Sequence, residues 1–517
     1  MGSFYERVNK KSTLVDDRED AISRQTIDKW IFRLLLVLLG FMPLVVLANI
    51  EEVVSPLVSN ISVLTSGVKG ELFTHYKAFI VIIITVITGL MLLAKIIFMN
   101  GTIHKTWVNY ILGAFVVAIV LSTIFSPNIT IALNGQYNRS DGAISWLCYV
   151  ALMFIAMNIE YPKKVVNYVM YAMMPFVYIN LYIITMNFYG KDLLQQAWLQ
   201  KFVSMTLPEG ANLGEGSQLV GTLNQWNYMS GMFAMMTVMY IAFAITSKKW
   251  ADVVVGAVTA GAAIAVMWMS LSTSGFLTVA VLSVVLLVAL FKVEHKKQAF
   301  TALAIFVVIS AGSFHVLANK NEHVWNESFG YVIKKNPYAQ PIETTFNFTN
   351  KAYASDASLQ LPVLPDWGVS AGTGRAYIWG KGLDLVKERP LLGYGGDSFM
   401  YNFPHYNIDA RAGIRSEHTI TDKPHNTYVG VLYGFGVIAF IAILVLLVKV
   451  GSTLIISVFK KSWAIFVVSM TATAYFAQSM FNDSLPGTSA IAFVLIGIVI
   501  ALTLTEKEGT LEHGRNN

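Results

Sequence analysis

Charge is scarce in this chain, and cysteine is almost missing. Charged residues fill 13% of 517 positions and hydrophobic residues 55%, whereas a soluble domain carries about a quarter charged residues. That shortage excludes the string of soluble domains that the length alone would allow. The single cysteine, Cys148, lies in an apolar run, so there is neither a disulfide framework nor a thiolate metal site. Residues 1–29 are polar and mixed in charge, which predicts a cytoplasmic tail and no cleavable signal peptide. The formal charge of +6 does not point to nucleic acid, because the basic residues are not gathered on one domain. They sit between hydrophobic runs, where they orient a membrane protein.

What the chain has in quantity is hydrophobic runs of membrane length. A spanning helix takes about 20 mostly apolar residues, and about twelve stretches qualify. They are 31–50, 78–98, 107–126, 144–159, 166–187, 226–246, 251–269, 275–292, 301–317, 428–449, 463–482 and 487–505, the fourth being short. Lys and Arg fix the orientation. Arg7, Lys10, Lys11, Arg18, Arg24 and Lys29 precede the first run, and every second connection is again basic, as at Lys163 and Lys164 or Lys248 and Lys249. The first alternate connection, with Lys69 and Lys77, gives the weakest contrast. The expected fold is an all-α polytopic protein of the cell membrane, with about 12 transmembrane helices and one large extracytoplasmic loop containing short helices. Its parts are a cytoplasmic tail (1–29), nine helices (30–317), the loop (318–424), three helices (425–505) and a second cytoplasmic tail (506–517). Inside the loop, the pattern from Arg375 to Glu388 predicts a helix ended by Pro390 and a glycine turn at 393–396. Residues 191–205 read as a helix lying at the membrane interface.

An enzyme acting outside the membrane has no ATP and needs a substrate that carries its own energy. Lipid-linked pyrophosphate sugars fit, and their transfer needs cations for the leaving group and a residue to orient or deprotonate the acceptor hydroxyl. Arg139, just before the fourth run, could fork onto two phosphate oxygens; it could equally snorkel at the interface or pair with Asp141. Asn224 and Asn227 at the sixth run can hydrogen-bond sugar hydroxyls, with Trp226 stacking on a ring; alternatively they form a helix start with an interfacial aromatic. In the loop, Arg375, Arg411 and Arg415, followed by His418, are either a basic anion site or locally paired polar residues. At the tenth run, His425 can take a proton near neutral pH and Asn426 can orient it or the substrate, although a histidine at a helix start is commonly structural. His405, His418 and His425 lack the i, i+4 spacing of a helical zinc motif, and Asp141, Glu215 and Asp397 form no acidic cluster, so no metal is expected.

Taken in order, these segments resemble the O-antigen ligase and O-antigen polymerase superfamily of bacterial membrane glycosyltransferases. Residues Gly135 to Gly142 are similar to its G-x-x-x-R-x-D-G element, and Gly221 to Tyr228 to its glycine-and-asparagine element before a span. Arg375 with Trp379, then Pro390-Leu391-Leu392-Gly393-Tyr394-Gly395, resemble the R-x-x-x-W … P-L-L-G-x-G element of the large loop. Pro424-His425-Asn426, then Gly434-Phe435-Gly436, resemble the return to the membrane, and Gln478 to Ser484 the element after it. The likeness is clearest over residues 134–485. It implies metal- and cofactor-independent transfer from an undecaprenyl-pyrophosphate-linked glycan donor to a glycan or lipid acceptor, with His425 as the catalytic group and Arg375 as a family arginine. Where many members have Ser-Arg-Gly, this chain has Thr273-Ser274-Gly275, so that either Arg139, Arg411 or Arg415 supplies that charge or the chemistry differs. Polymerase is favoured over ligase, since no signature of a specific lipid acceptor is present. The rival readings are a transporter or flippase of lipid-linked glycans, and a non-catalytic glycan-binding membrane protein. A transporter would place ionisable residues near mid-membrane, whereas here they gather at the outer ends of the runs.

Overall fold

The computed structural model describes residues 2–53, 66–208, 219–223, 225–339, 375–405 and 421–515. Helix α1 (Gly2–Gly40) leads through a short 3-10 turn (Met42–Leu44) into an antiparallel hairpin of β1 (Asn49–Val53) and β2 (Gly67–Glu71). Then come α2 (His75–Phe98), α3 (Val108–Ile124), α4 (Ile129–Asn134), α5 (Ala143–Met157), α6 (Val165–Phe188) and α7 (Ala197–Val203). They are followed by α8 (Trp226–Thr246), α9 (Trp250–Met269), α10 (Thr273–Lys292), α11 (Lys296–Lys320) and α12 (His323–Asn326). The last are α13 (Arg375–Glu388), α14 (Phe399–Asn402), α15 (Thr427–Lys460), α16 (Trp463–Gln478) and α17 (Pro486–Arg515).

Eight helices among the described residues, α2, α6, α8, α9, α10, α11, α15 and α17, are long and apolar enough to cross a membrane. Helices α3, α5 and α16 are shorter apolar helices. The chain is therefore a mostly helical, multi-pass protein. The first expected run, 31–50, departs from the pattern: its helix stops at Gly40, and the chain reaches β1 at Asn49. Pro43 lies in the turn that follows, and proline has no N–H with which to continue a helix. Gly40 itself is required by packing, since a side chain there would strike the Ala172 carbonyl of α6.

Burial sorts the helices into layers. Nearly every side chain of α8 is buried, and α17 and α9 are mostly so, whereas α2, α10 and α11 are buried on one side only. Their outer faces carry Leu90, Val281, Val284 and Val308 in exposed positions. Apolar faces on that scale are stable only when lipid covers them. Helix α7 is likewise amphipathic, presenting Trp198 and Phe202 outward.

Buried charge marks one end of the bundle. Lys95 of α2 pairs with Asp28 of α1 at 2.7 Å and also donates to the Asn158 carbonyl beyond α5, while Asp28 accepts from the backbone N–H of Glu160. Three chain segments are thus joined through one ion pair. At the other end lie the starts of α2, α5, α8, α15 and α17. There α15 is broken at Gly436, whose φ of 80° no helix allows. A side chain at Gly436 would strike Leu391, so the break exists to admit the 390–395 segment. That segment satisfies the exposed backbone: Val437 N–H donates to Pro390, and the N–H groups of Tyr394 and Gly395 donate to Tyr433 and Gly434. Irregular backbone at membrane depth is tolerated only with such partners.

Removing one member of a buried ion pair leaves the other charge stranded, at a cost of about 3–5 kcal/mol. Asp28→Asn should therefore lower the melting temperature of the detergent-solubilised protein clearly. The double variant Asp28→Leu/Lys95→Met should restore most of the loss.

Candidate functional site

The element from Gly135 to Gly142 forms a closed loop between α4 and α5. Gly135 has a φ of 84°, and a side chain on either Gly135 or Gly142 would collide with the backbone of the other's end of the loop. The N–H groups of Arg139 and Ser140 both donate to the Gln136 carbonyl, which turns the Arg139 side chain inward. Its guanidinium, 4% exposed, is held between two carboxylates. Nε donates to Asp397 at 2.7 Å and Nη1 to Asp422 at 2.8 Å, while Nη2 lies 2.6 Å from Asp397. Asp397 is fixed in turn by the backbone N–H of Gln136 at 2.6 Å. Arg139 pairs with these two residues, and not with Asp141. Burial would release its proton, but the two carboxylates outweigh that and push its pKa further up.

Asp141 belongs to a different set of contacts. It accepts hydrogen bonds from Tyr149 (3.0 Å) and from the Ser484 hydroxyl. Burial, reinforced by the nearby Asp397 charge, raises its pKa to about 8 against the bonds from Ser484 and Tyr149.

His425 stands next to Lys423 and Pro424 at the approach to α15. Its φ is 54°, a left-handed conformation that costs an ordinary residue about 1–2 kcal/mol. Ser140 and Asp397 share that conformation, and strained residues of this kind concentrate at functional sites. The strain is held by firm neighbours. Pro424 accepts from the Trp379 indole at 2.8 Å, and Thr427 N–H donates to the carbonyls of Ser479 and Asn482. Nδ1 of His425 lies 3.4 Å from Oδ2 of Asp483, without hydrogen-bond alignment, and this buried oxygen makes no hydrogen bond. Burial would raise the Asp483 pKa, but His425, Lys423 and Arg139 overcome it and hold it at about 2. Lys423 is buried, donating to the Tyr228 hydroxyl at 3.0 Å and lying 3.9 Å from Asp422.

Arg139, Asp141, Asp397, Lys423 and Asp483 line one cavity of about 50 Å³, floored by Trp146 and Phe435. The other expected residues fall around it. Asn426 caps α15, its side-chain oxygen accepting from the N–H groups of Tyr428 and Val429, and its own N–H points to Asp483 at 3.3 Å. Asn227, in the first turn of α8, receives the Asn482 amide on its carbonyl at 2.9 Å. Arg375 opens α13 one turn before Trp379, hence on the same helix face. Asn224, Arg411, Arg415, His418 and Glu215 lie outside the described residues. At the departure from the family pattern no cation takes the place: Ser274 accepts from Gln478, Gly275 N–H donates to Ser230, and Thr273 donates to the Glu327 carboxylate. Among the described residues no group of three His, Cys, Asp or Glu is arranged to hold a metal ion.

Sequence reasoning missed Asp422 and Asp483, and gave Asp397 no partner. The available signal was polar residues, Asn482-Asp483-Ser484, between two apolar runs, since ionisable residues at membrane boundaries are costly and usually functional.

The fold and site define a multi-pass membrane protein with a buried ionisable centre at one end of its helix bundle. The model of the O-antigen ligase family matches residues 258–444, a range that includes His425 and the break at Gly436. Over that range, about a third of the chain, the sequence is similar to the O-antigen ligase family. No curated protein matches the chain.

Arg139→Met would strand Asp397 and Asp422, a loss of about 3–5 kcal/mol for a buried charge network. A lower melting temperature and faster proteolysis between residues 397 and 422 should report it. For Asp141 the folded pKa of about 8 lies above its ordinary value of 3.8. The folded state then binds the extra proton, so stability is greatest at low pH and falls as pH rises towards 8. Between pH 6 and pH 9 the wild type should lose melting temperature relative to Asp141→Asn.

Proposed function

We propose that this protein is a membrane glycosyltransferase that moves a glycan from an undecaprenyl-pyrophosphate donor to an acceptor hydroxyl at the outer face of the cytoplasmic membrane. It acts as a surface-polysaccharide polymerase or ligase, with both termini cytoplasmic and the 318–424 loop outside. The observation that carries this reading is the strained His425 facing the Asp483 carboxylate, beside a cavity where the family match and the buried ionisable centre coincide.

In this reading the acceptor hydroxyl gives its proton to His425 as its oxygen attacks the anomeric carbon. The bond between that carbon and the pyrophosphate oxygen breaks, and its electron pair leaves with undecaprenyl pyrophosphate. Attack from the side opposite the leaving group inverts the anomeric configuration. Asp483 is the positioning residue: its carboxylate faces Nδ1 at 3.4 Å, leaving Nε2 for the acceptor, and its negative charge offsets the positive charge that forms on the ring in the step. The leaving group's growing charge is met by the arginines of the loop, Arg375, Arg411 and Arg415, while Arg139 holds the scaffold. Cations arranged before the reaction stabilise such charge at little reorganisation cost. Asn227, Asn224 three residues before it, and Asn426 are assigned to hydroxyls of the donor glycan. No metal or other cofactor takes part.

The test is transfer in vitro with the purified protein, an undecaprenyl-pyrophosphate glycan and EDTA. Wild type should form longer or transferred glycan in EDTA, and His425→Ala should be slower by about 10²–10⁴-fold, the usual contribution of a positioned acid or base. Asp483→Asn should lower kcat and shift its pH profile with little change in donor KM. Full activity in His425→Ala would sink the assignment, as would activity abolished by EDTA.

A further inference from the structure

The 134–142 loop has a second face. Opposite the Arg139 side, it closes a groove of about 380 Å³ between β1, the start of α2 and the start of α5. The groove is anchored from below the hairpin. Glu71, at the end of β2, accepts from the N–H groups of Phe73, Thr74 and His75 at 2.7–2.8 Å, which satisfies the free donors at the start of α2. His75 is therefore set firmly at the mouth.

The lining changes character with depth. Asn49, Glu51, His75, Gln136 and Tyr137 are polar and belong to the hairpin, the helix start and the loop. Phe79 and Ile82 follow His75 one and two turns further along α2. Phe79 is exposed and continues into a stripe of exposed Ile83, Val86 and Leu90 on the same helix. The groove thus opens at its apolar end onto the lipid-covered face of the bundle. None of the described lining residues is Lys or Arg. Amide, carboxylate, imidazole and phenol groups together donate to and accept from hydroxyls, whereas a phosphate group calls for cations.

We propose that this groove binds the uncharged sugar of a glycolipid, with the lipid chain laid along Phe79 and Ile82, and that it serves as the acceptor subsite. The acceptor role rests on the transferase reading above; the binding does not. The 134–142 loop lines both this groove and the Arg139 and Asp483 cavity, and the Gln136 N–H donates to Asp397 while Gln136 lines the groove. An acceptor held in the groove therefore lies against the loop that carries Arg139.

The experiment uses the full chain in lipid nanodiscs and a polyprenyl glucoside bearing a diazirine in its lipid. The controls are the sugar-free polyprenol and the polyprenyl phosphate with the same diazirine. Labelling should fall on peptides covering 75–82 and 134–145, about tenfold above either control, a difference of about 1.4 kcal/mol. His75→Ala and Phe79→Ala should each cut it several-fold at unchanged melting temperature, and should raise acceptor KM in the transfer assay with donor KM unchanged. Equal labelling by polyprenol, preference for the phosphate, or labelling elsewhere would overturn the sugar groove. Correct labelling with unchanged acceptor KM in the variants would overturn the acceptor role. Correct labelling by a wild type that transfers nothing would count against the transferase reading and leave the groove standing.

Discussion

Everything at the functional end of this molecule depends on one buried guanidinium. Arg139 joins three segments that are remote in sequence: its own loop before α5, Asp397 behind α13, and Asp422 at the return to α15. Taking a charge out of water costs several kcal/mol, which is recovered only if every donor finds an acceptor. Here Nε, Nη1 and Nη2 all do. The arrangement has little freedom to slide, because displacing any one segment strands a charge. His425 is placed three residues after Asp422, so its position follows from this junction.

The broken helix supplies the second constraint. The glycine pair at 434 and 436, and the Pro-Leu-Leu-Gly-Tyr-Gly segment, are two halves of one contact: the first exposes backbone and the second satisfies it. Tyr394 stacks on Tyr433 with ring centroids 5.1 Å apart, which adds packing to the hydrogen bonds. A loop element is thereby welded to a membrane helix, and Asp397, a few residues on, is delivered to Arg139.

Much of this was legible in the sequence, for reasons that differ by element. Runs of apolar residues gave the helices well, since hydrophobicity over a window is a local property; α13 runs from Arg375 to Glu388, as its pattern and Pro390 predicted. The first run misled because apolar composition continues past Gly40 although Pro43 and the hairpin end the helix. At the site, His425 and Arg139 stood out as ionisable residues at the ends of apolar runs. Their partners did not, because Asp483 meets His425 only through the packing of α16 and α17, and Asp422 meets Arg139 only through the loop's return. Asn426 was read as orienting the substrate, yet its side-chain oxygen serves the first turn of α15, the ordinary use of asparagine at a helix start.

The charge inventory of the centre carries one more step of argument. Arg139 and Lys423 face Asp397, Asp422 and Asp483, two cations against three carboxylates. Such a cluster is left with one uncompensated negative charge and repels an added pyrophosphate unless further cations approach. The contacts of Thr273-Ser274-Gly275 add none and bring in the Glu327 carboxylate. Among the described residues of this centre the ions are committed to one another, and what they do is fix the stretch of chain that carries His425.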